Sequence, residues 1–412
     1  MINAGSTGFM LVCTSLVMLM TPALAFFYGG LASKRNILGI MVQSFVSLGW
    51  STILWFIIGY SLCFSGSMAE GTDFFGILGN LDKCFLRGVT PDSIFSGNNA
   101  IPEYVFIAFQ MMFAIITPAL ITGAFVNRVS FKAYFIFLTV WQFLVYYPFC
   151  HMVWGGGVLA EWGVLDFAGG IVVHATAGLA ALASVFFVGA RVDKNSTPNS
   201  IPLVAIGSGL LWFGWYGFNA GSELKVDGVT ANAFLNTDIA ASSALFTWML
   251  VEWIRNRKPT FVGILTGSIA GLATITPCAG FVPLWASPII GVCAGLGCYL
   301  AVQWKNKRQW DDALDVWGVH GVGGIIGTIL LGVFASTAVN PNGADGLIFG
   351  GVSFFFKELV AVLIAALYAF VFTYVMLWII NKITPVRVEE KVEIEGIDSA
   401  IHGEKAYDEG CL

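Results

Sequence analysis

The feature that most limits what this chain can become is a succession of long apolar runs. Read against the polar punctuation between them, they fall near 6–31, 37–64, 101–125, 133–152, 167–189, 200–220, 232–254, 260–280, 285–304, 314–336 and 355–381. A helix needs roughly 20 residues to cross ~30 Å of hydrocarbon. Inside hydrocarbon every backbone N–H and C=O must find a partner within the fold, so runs of this length form helices. The expectation is an all-α polytopic membrane protein with eleven transmembrane helices. Composition agrees. Charged residues make up 11% of the chain and hydrophobic ones 57%, where a soluble domain carries roughly 25% charged residues. The 48 glycines suit close helix packing in lipid, where the hydrophobic effect does not drive helices together. Gly263, Gly267 and Gly271 form one such ladder, and Gly291 and Gly295 another.

Orientation follows from the basic residues, which concentrate in cytoplasmic loops. One set of loops holds Lys34, Arg35, Arg128, Lys132, Arg191, Lys194, Arg255, Arg257, Lys258, Lys305, Lys307 and Arg308, and the tail adds Lys382, Arg387, Lys391 and Lys405. Only Lys83, Arg87, Lys225 and Lys357, of the 20 Lys and Arg, fall on the other side. This sorts cleanly if eleven spans run from an outer N-terminus to a cytoplasmic C-terminus. Residues 1–383 then form the transmembrane domain and 384–412 a cytoplasmic tail. Ala23-Leu24-Ala25 mimics a signal-peptide cleavage site, but no basic segment precedes it and Phe26-Phe27-Tyr28 continues the apolar run. It reads as the first span, retained. The eight cysteines, Cys411 among them, show no metal-ligand spacing. Cys63 and Cys84 flank the first long outer segment, which leaves a disulfide open there.

Two stretches carry ionisable groups inside apolar runs, and such groups are functional-site candidates by default. Asp166 lies eight residues before His174, and Asp312 eight before His320. On a helix, His174 shares its face with Ala177, Gly178 and Ala181, while His320 shares its own with Gly323, Gly324 and Gly327. Small residues at these offsets admit a closely packed neighbour. In the eleven-span topology the first copy starts at the outer face and the second at the cytoplasmic face. The arrangement is an inverted-topology repeat of spans 1–5 and 6–10, whose substrate sites lie near mid-membrane. Each Asp is also placed to accept hydrogen bonds from its own helix start.

Further segments point toward the same pathway: FQMMF at 109–113, HMVWGGG at 151–157 and WYGFNAGS at 215–222. They gather aromatic faces and a hydroxyl that suit a small cation through cation–π attraction and hydrogen bonding. Together with LDFAGG and His174, KPT with ITP at 258–277, DDALDV with His320, and the tail's GID and HGEKAY, they make the chain resemble the ammonium transporter family (Amt/Mep/Rh) over nearly its whole length. The resemblance implies a homotrimer whose protomers each enclose a narrow apolar pore. It implies that Phe109, Trp154 and Ser222 recruit NH4+ at the outer side, that Phe113 and Phe218 form a phenyl gate, and that His174 and His320 line the conduction path. Asp166 corresponds to a structural and proton-handling carboxylate. The resemblance also implies the plasma membrane as location and a trimeric cytoplasmic P-II signalling protein as partner, and it implies no cofactor, metal or nucleic acid. A local departure is Glu223 and Lys225 after Ser222, which changes the outer electrostatics.

Other readings compete. Phe109 and Phe113 alone would be core packing, and Asp166 alone a helix cap. His151 reads as an interfacial histidine without transport chemistry. Asp311, Asp312 and Asp315 read as caps of the tenth helix or partners of basic loops. A haem protein with His174 and His320 as axial ligands needs room that the small residues around them deny. No Glu-x-x-His or His-x3-His pair supports a metal enzyme. An ammonium sensor that conducts little is the nearest functional rival.

Overall fold

The computed structural model describes residues 2–95, 100–192 and 197–407; Lys194 of the basic set and Cys411 lie outside them. Among the described residues the chain is helical, with no strand beyond isolated bridges. Ten helices are long and apolar enough to cross a membrane: α1 (Ala4–Leu31), α2 (Ile37–Phe64), α3 (Glu103–Ala124), α4 (Phe131–Trp162), α5 (Gly170–Val188), α6 (Ile201–Glu223), α7 (Gly228–Asn256), α9 (Ala286–Lys307), α10 (Trp317–Phe334) and α11 (Val352–Ile383). The segment expected as the eighth span, 260–280, forms the shorter α8 (Phe261–Ile275), 15 residues long. Pro277 stands two residues past its end, has no N–H to continue the ladder, and leads into turns. Ten spans therefore stand on length and composition, and the segment expected as the remaining one is this shorter apolar helix.

The glycine ladders pack helices as the sequence suggests. Added Cβ atoms on Gly263, Gly267 and Gly271 of α8 would run into Glu252, Trp248 and Ala244 of α7. Those on Gly291 and Gly295 of α9 would meet the carbonyls of Ala240 and Ala244 on the same helix. Thus α7 is gripped between α8 and α9. On α6, Gly207 lies against the backbone of Phe27 in α1.

Two helices cross at the centre, and their contact is reciprocal. A Cβ on Gly178, four residues after His174, would sit 2.1 Å from Cα of Gly321, one residue after His320. A Cβ on Gly324, four after His320, would sit 2.7 Å from N of Ala175, one after His174. Two helix starts related by a twofold axis make this pair of contacts. Both also begin in the wider π-helical winding, at Gly170–Ala175 and Trp317–Gly321. The symmetric motif in the sequence is thus a symmetric crossing in the fold.

Outside the spans, α4 breaks at Gly155–Gly157 before a last short turn. These glycines let the outer loop pass: Cβ atoms on Gly155 and Gly157 would lie 2.0 Å and 2.4 Å from the carbonyls of Cys63 and Gly76. Cys63 and Cys84 are free, so no disulfide joins them; Cys63 is buried beside Tyr147 at the end of α2. On the other side, Arg128 is fully buried and donates to the carbonyls of Ala124, Gly189 and Asp311. Asp311 also pairs with Arg191 at 2.8 Å. Burial alone would raise the Asp311 carboxyl, but the Arg191 hydrogen bonds and the charges of Arg128 and Arg191 outweigh it and hold it at about 2.

Candidate functional site

Three cavities follow one another through the bundle. The first, on the side that the basic-residue pattern makes the outer one, has about 260 Å³ and is lined by Trp154, Ser222, Gln110, Phe106 and Phe113 among others. Trp154 and Ser222 come together here as the motifs suggest. Phe109 does not line this cavity: it is fully buried behind Phe113, with ring centroids 5.0 Å apart. Gln110 does line it, and its buried Oε1 has no protein partner among the described residues. Its position inside the FQMMF segment was the available signal, but helical periodicity weights the two phenylalanines over the amide between them.

Phe113 and Phe218 separate the outer cavity from the next. Their centroids lie 4.3 Å apart with the planes tilted by 36°, and both are about 1% exposed. The Trp154 ring meets Phe113 edge-on at 5.8 Å. A cation that reaches the outer cavity therefore meets aromatic faces, the Ser222 side chain and the Gln110 amide before a closed apolar pair.

Beyond the pair lies a lumen of about 20 Å³, counted over positions open to the centre of a water-sized molecule. One such molecule needs roughly 10–15 Å³ on this measure, so the lumen holds about one. Leu24, Ile116, Leu120, Leu211, Trp215 and the two histidines are among its walls. His174 and His320 stack with centroids 5.2 Å apart and planes 14° from parallel. Rings stacked face to face at that distance leave no place for an iron porphyrin between them. Neither nitrogen of His174, nor Nδ1 of His320, has a protein hydrogen-bond partner among the described residues. Below His320 an inner cavity of about 150 Å³ opens toward Arg191, Pro198 and Asp315.

Asp166 stands at the head of α5. Its carboxylate accepts N–H groups from Gly169, Gly170, Ile171 and Val172 at 2.7–3.1 Å. Burial pushes the carboxyl above its ordinary range, and these four donors pull against that rise. Its backbone carbonyl accepts the Trp154 indole N–H at 2.8 Å, tying α5 to the outer cavity. Asp312 does the same for α10 through Val316 and Trp317 N–H. Burial raises its carboxyl to about 6, against the lowering charge of Lys305. Lys305 bonds the Asp312 carbonyl and Asp315. The expectation that Asp311, Asp312 and Asp315 cap or contact basic groups thus describes what they touch.

His151 differs from its reading as an interfacial residue. It is fully buried, with Nδ1 2.9 Å from the Cys63 carbonyl and Nε2 2.9 Å from Asp73, because the outer loop folds over it. Lys225 bridges Glu223 and Asp227 at 3.2 and 3.1 Å. The extra charges after Ser222 therefore largely neutralise one another. Glu358, which the motifs did not single out, is fully buried beside Asp166.

A ten-span bundle that threads an apolar lumen between two cavities defines a membrane transport protein. Residues 8–407 match the profile of the Ammonium Transporter Family. The chain is 45% identical to an ammonium transporter of Bacillus subtilis over 405 residues, 98% of each chain. The fold is similar to the crystal structure of Saccharomyces cerevisiae Mep2, with a TM-score of 0.86, 34% identity and coverage of 94% of this chain and 91% of that one. It is similar as well to a structure described as a sensor Amt protein, at TM-score 0.88, 26% identity and coverage of 96% and 98%. The chain belongs to the ammonium transporter family, a family of multi-pass membrane transporters rather than enzymes.

Proposed function

We propose that the chain carries ammonium by recruiting NH4+ in the outer cavity, removing its proton and conducting NH3 through the lumen. The observation that carries this reading is the apolar lumen walled in part by His174 and His320, three of whose four ring nitrogens have no protein hydrogen-bond partner among the described residues. A bare cation entering such a space would lose many kcal/mol of hydration with nothing to replace it. Ammonia loses far less and can hydrogen-bond to a neutral imidazole. K+ has no proton to give up, so the same lumen excludes it. In this reading Trp154 and Ser222 recruit the cation by cation–π attraction and a hydroxyl contact, Phe109 supports them from behind Phe113, and Phe113 and Phe218 act as the gate. His174 and His320 guide the ligand, and Asp166 holds the head of α5 and takes part in proton handling.

The reading extends to the assembly: a homotrimer in the plasma membrane, N-terminus outside, whose cytoplasmic tail (384–412) and P-II partner regulate flux. The test is uptake of labelled methylammonium by a transporter-deficient host with and without this chain. Saturable uptake is expected, and Phe218→Ala or Phe113→Ala should change its concentration dependence without loss of insertion. The likeness to a sensor Amt protein supports one alternative, a protein that binds ammonium and conducts little. A well-inserted chain that gives no uptake above background would decide for that alternative.

A further inference from the structure

Asp166 hangs in a short connection between α4 and α5, and three helices hold three consecutive residues of it. The Trp154 indole N–H from α4 donates to the Asp166 carbonyl. The Phe167 N–H donates to the carbonyl of Pro277, just beyond α8, at 3.2 Å. The Leu165 N–H donates to Oε1 of Glu358 on α11 at 2.7 Å. Of these three ties, Glu358 alone is a side-chain carboxyl, and it is fully buried. Its other oxygen has no partner among the described residues.

The charge state follows from what surrounds the two carboxyls. Among the described residues, neither Asp166 nor Glu358 has a cation within salt-bridge reach. Glu358 accepts the N–H of Leu165, the residue before Asp166, and two carboxyls that near one another in an apolar site disfavour ionising together. Asp166 has four N–H donors on its two oxygens, whereas Glu358 has one donor on one oxygen. The negative charge therefore belongs on Asp166, and the proton on Glu358. A Cβ added at Gly332 of α10 would meet Cβ of Glu358 at 3.4 Å, so α10 lies close against this part of α11.

We propose that Glu358 is a positioning residue for the outer substrate site: as a neutral acid it fixes the Leu165–Asp166 backbone and, through the Asp166 carbonyl, the Trp154 ring. This rests on the reading of Trp154 as a recruiting residue. A ring displaced from its place weakens capture of the cation more than passage through the lumen, so the effect falls on KM.

The test is methylammonium uptake at several outer pH values by cells carrying wild type, Glu358→Gln, Glu358→Met, Glu358→Asp or Trp154→Leu, normalised to inserted protein. Trp154→Leu, Glu358→Met and Glu358→Asp should each raise the apparent KM about three- to tenfold with maximal rates within about twofold. The Asp variant removes the acceptor by shortening the arm, and keeps the test usable if Met fails to insert. Glu358→Gln keeps a neutral acceptor and should superpose on wild type in KM and in pH profile. A wild-type KM for Met and Asp, with a raised KM for Trp154→Leu, overturns the role of Glu358 and leaves the recruitment reading standing. A wild-type KM for Trp154→Leu overturns the recruitment reading itself. A shifted pH profile for Glu358→Gln overturns the neutral acid.

Discussion

At His174 the difference between one side chain and another is a difference in which species the lumen tolerates. With neutral imidazoles the lumen offers hydrogen-bonding groups and no fixed charge, so a cation gains nothing for its lost water. His174→Asp would place a carboxylate there, and at an effective dielectric of about 20 its attraction for a cation is roughly four times that in water. We expect His174→Asp to admit K+ or Rb+ while still carrying ammonium, and His174→Ala mainly to lower ammonium flux. Rb+ uptake in a host without its own potassium uptake is the measurement; an Asp variant that carries ammonium but no Rb+ would contradict the claim that neutrality enforces selectivity. Residues of this kind were legible because an ionisable group in an apolar run is costly and therefore conspicuous, and because the run repeats. Glu358 is as costly, but it stands once, next to Lys357 near the head of a long helix, where a charge reads as interfacial. Phe109 and Phe113 are equivalent by spacing, and only the fold shows which of them faces the cavity.

Among the elements, the crossing of α5 and α10 leaves the least latitude. A methyl group on Gly178 would collide with backbone at 2.1 Å, which a flexible side chain cannot relieve. Overpacking costs about 1–3 kcal/mol, and a clash against backbone belongs at the upper end. We expect Gly178→Val to yield little monodisperse protein. Gly209→Ala on α6, which meets nothing within 4 Å, should purify at wild-type yield. Equal yields for the two would refute the crossing. The start of α10 makes a second, pH-dependent prediction. Asp312 titrates at about 6 in the fold against an ordinary 3.8, so between those values the folded state binds the extra proton. Its contribution to stability is therefore fully present below about pH 4 and is lost as pH rises through 6. Subtracting the thermal-unfolding profile of Asp312→Asn should expose this slope, with the wild type losing more stability than the variant between pH 4 and 7. A difference that stays flat over that interval would show that burial does not raise this carboxyl. The spans themselves were readable from length and apolarity. The π-helical starts were not, because they arise when one turn widens to accommodate a neighbour, and the early end of α8 depended on how far Pro277 acts.

On the scale of the whole molecule, the tail is the element that ties together loops lying far apart in the first half of the chain. Asp398 accepts the N–H groups of Ile37, Leu38 and Gly39 at 2.7–3.0 Å, so a residue 360 positions away caps α2. Asn36 answers by accepting the Ile397 N–H, and Arg35 donates to the Ile394 carbonyl. Farther back, Arg387 pairs with Glu393, whose other oxygen accepts the Val192 N–H beyond α5. The tail thus binds the end that leads from α1 into α2 to the end that leaves α5, on either side of the inner cavity. A helix cap contributes about 0.5–2 kcal/mol, too little to decide whether a bundle of this size folds. It is enough to shift a balance between two arrangements of the inner loops, since coupling energies of about 1–3 kcal/mol change an equilibrium roughly 5- to 150-fold. We therefore expect Asp398→Ala, and truncation after Thr384, to leave insertion intact and to lower methylammonium flux about fivefold or more. Asp398→Asn, which keeps one acceptor for the α2 N–H groups, should fall between. Wild-type flux from a well-inserted truncated chain would mean that the tail only rests on the loops it touches.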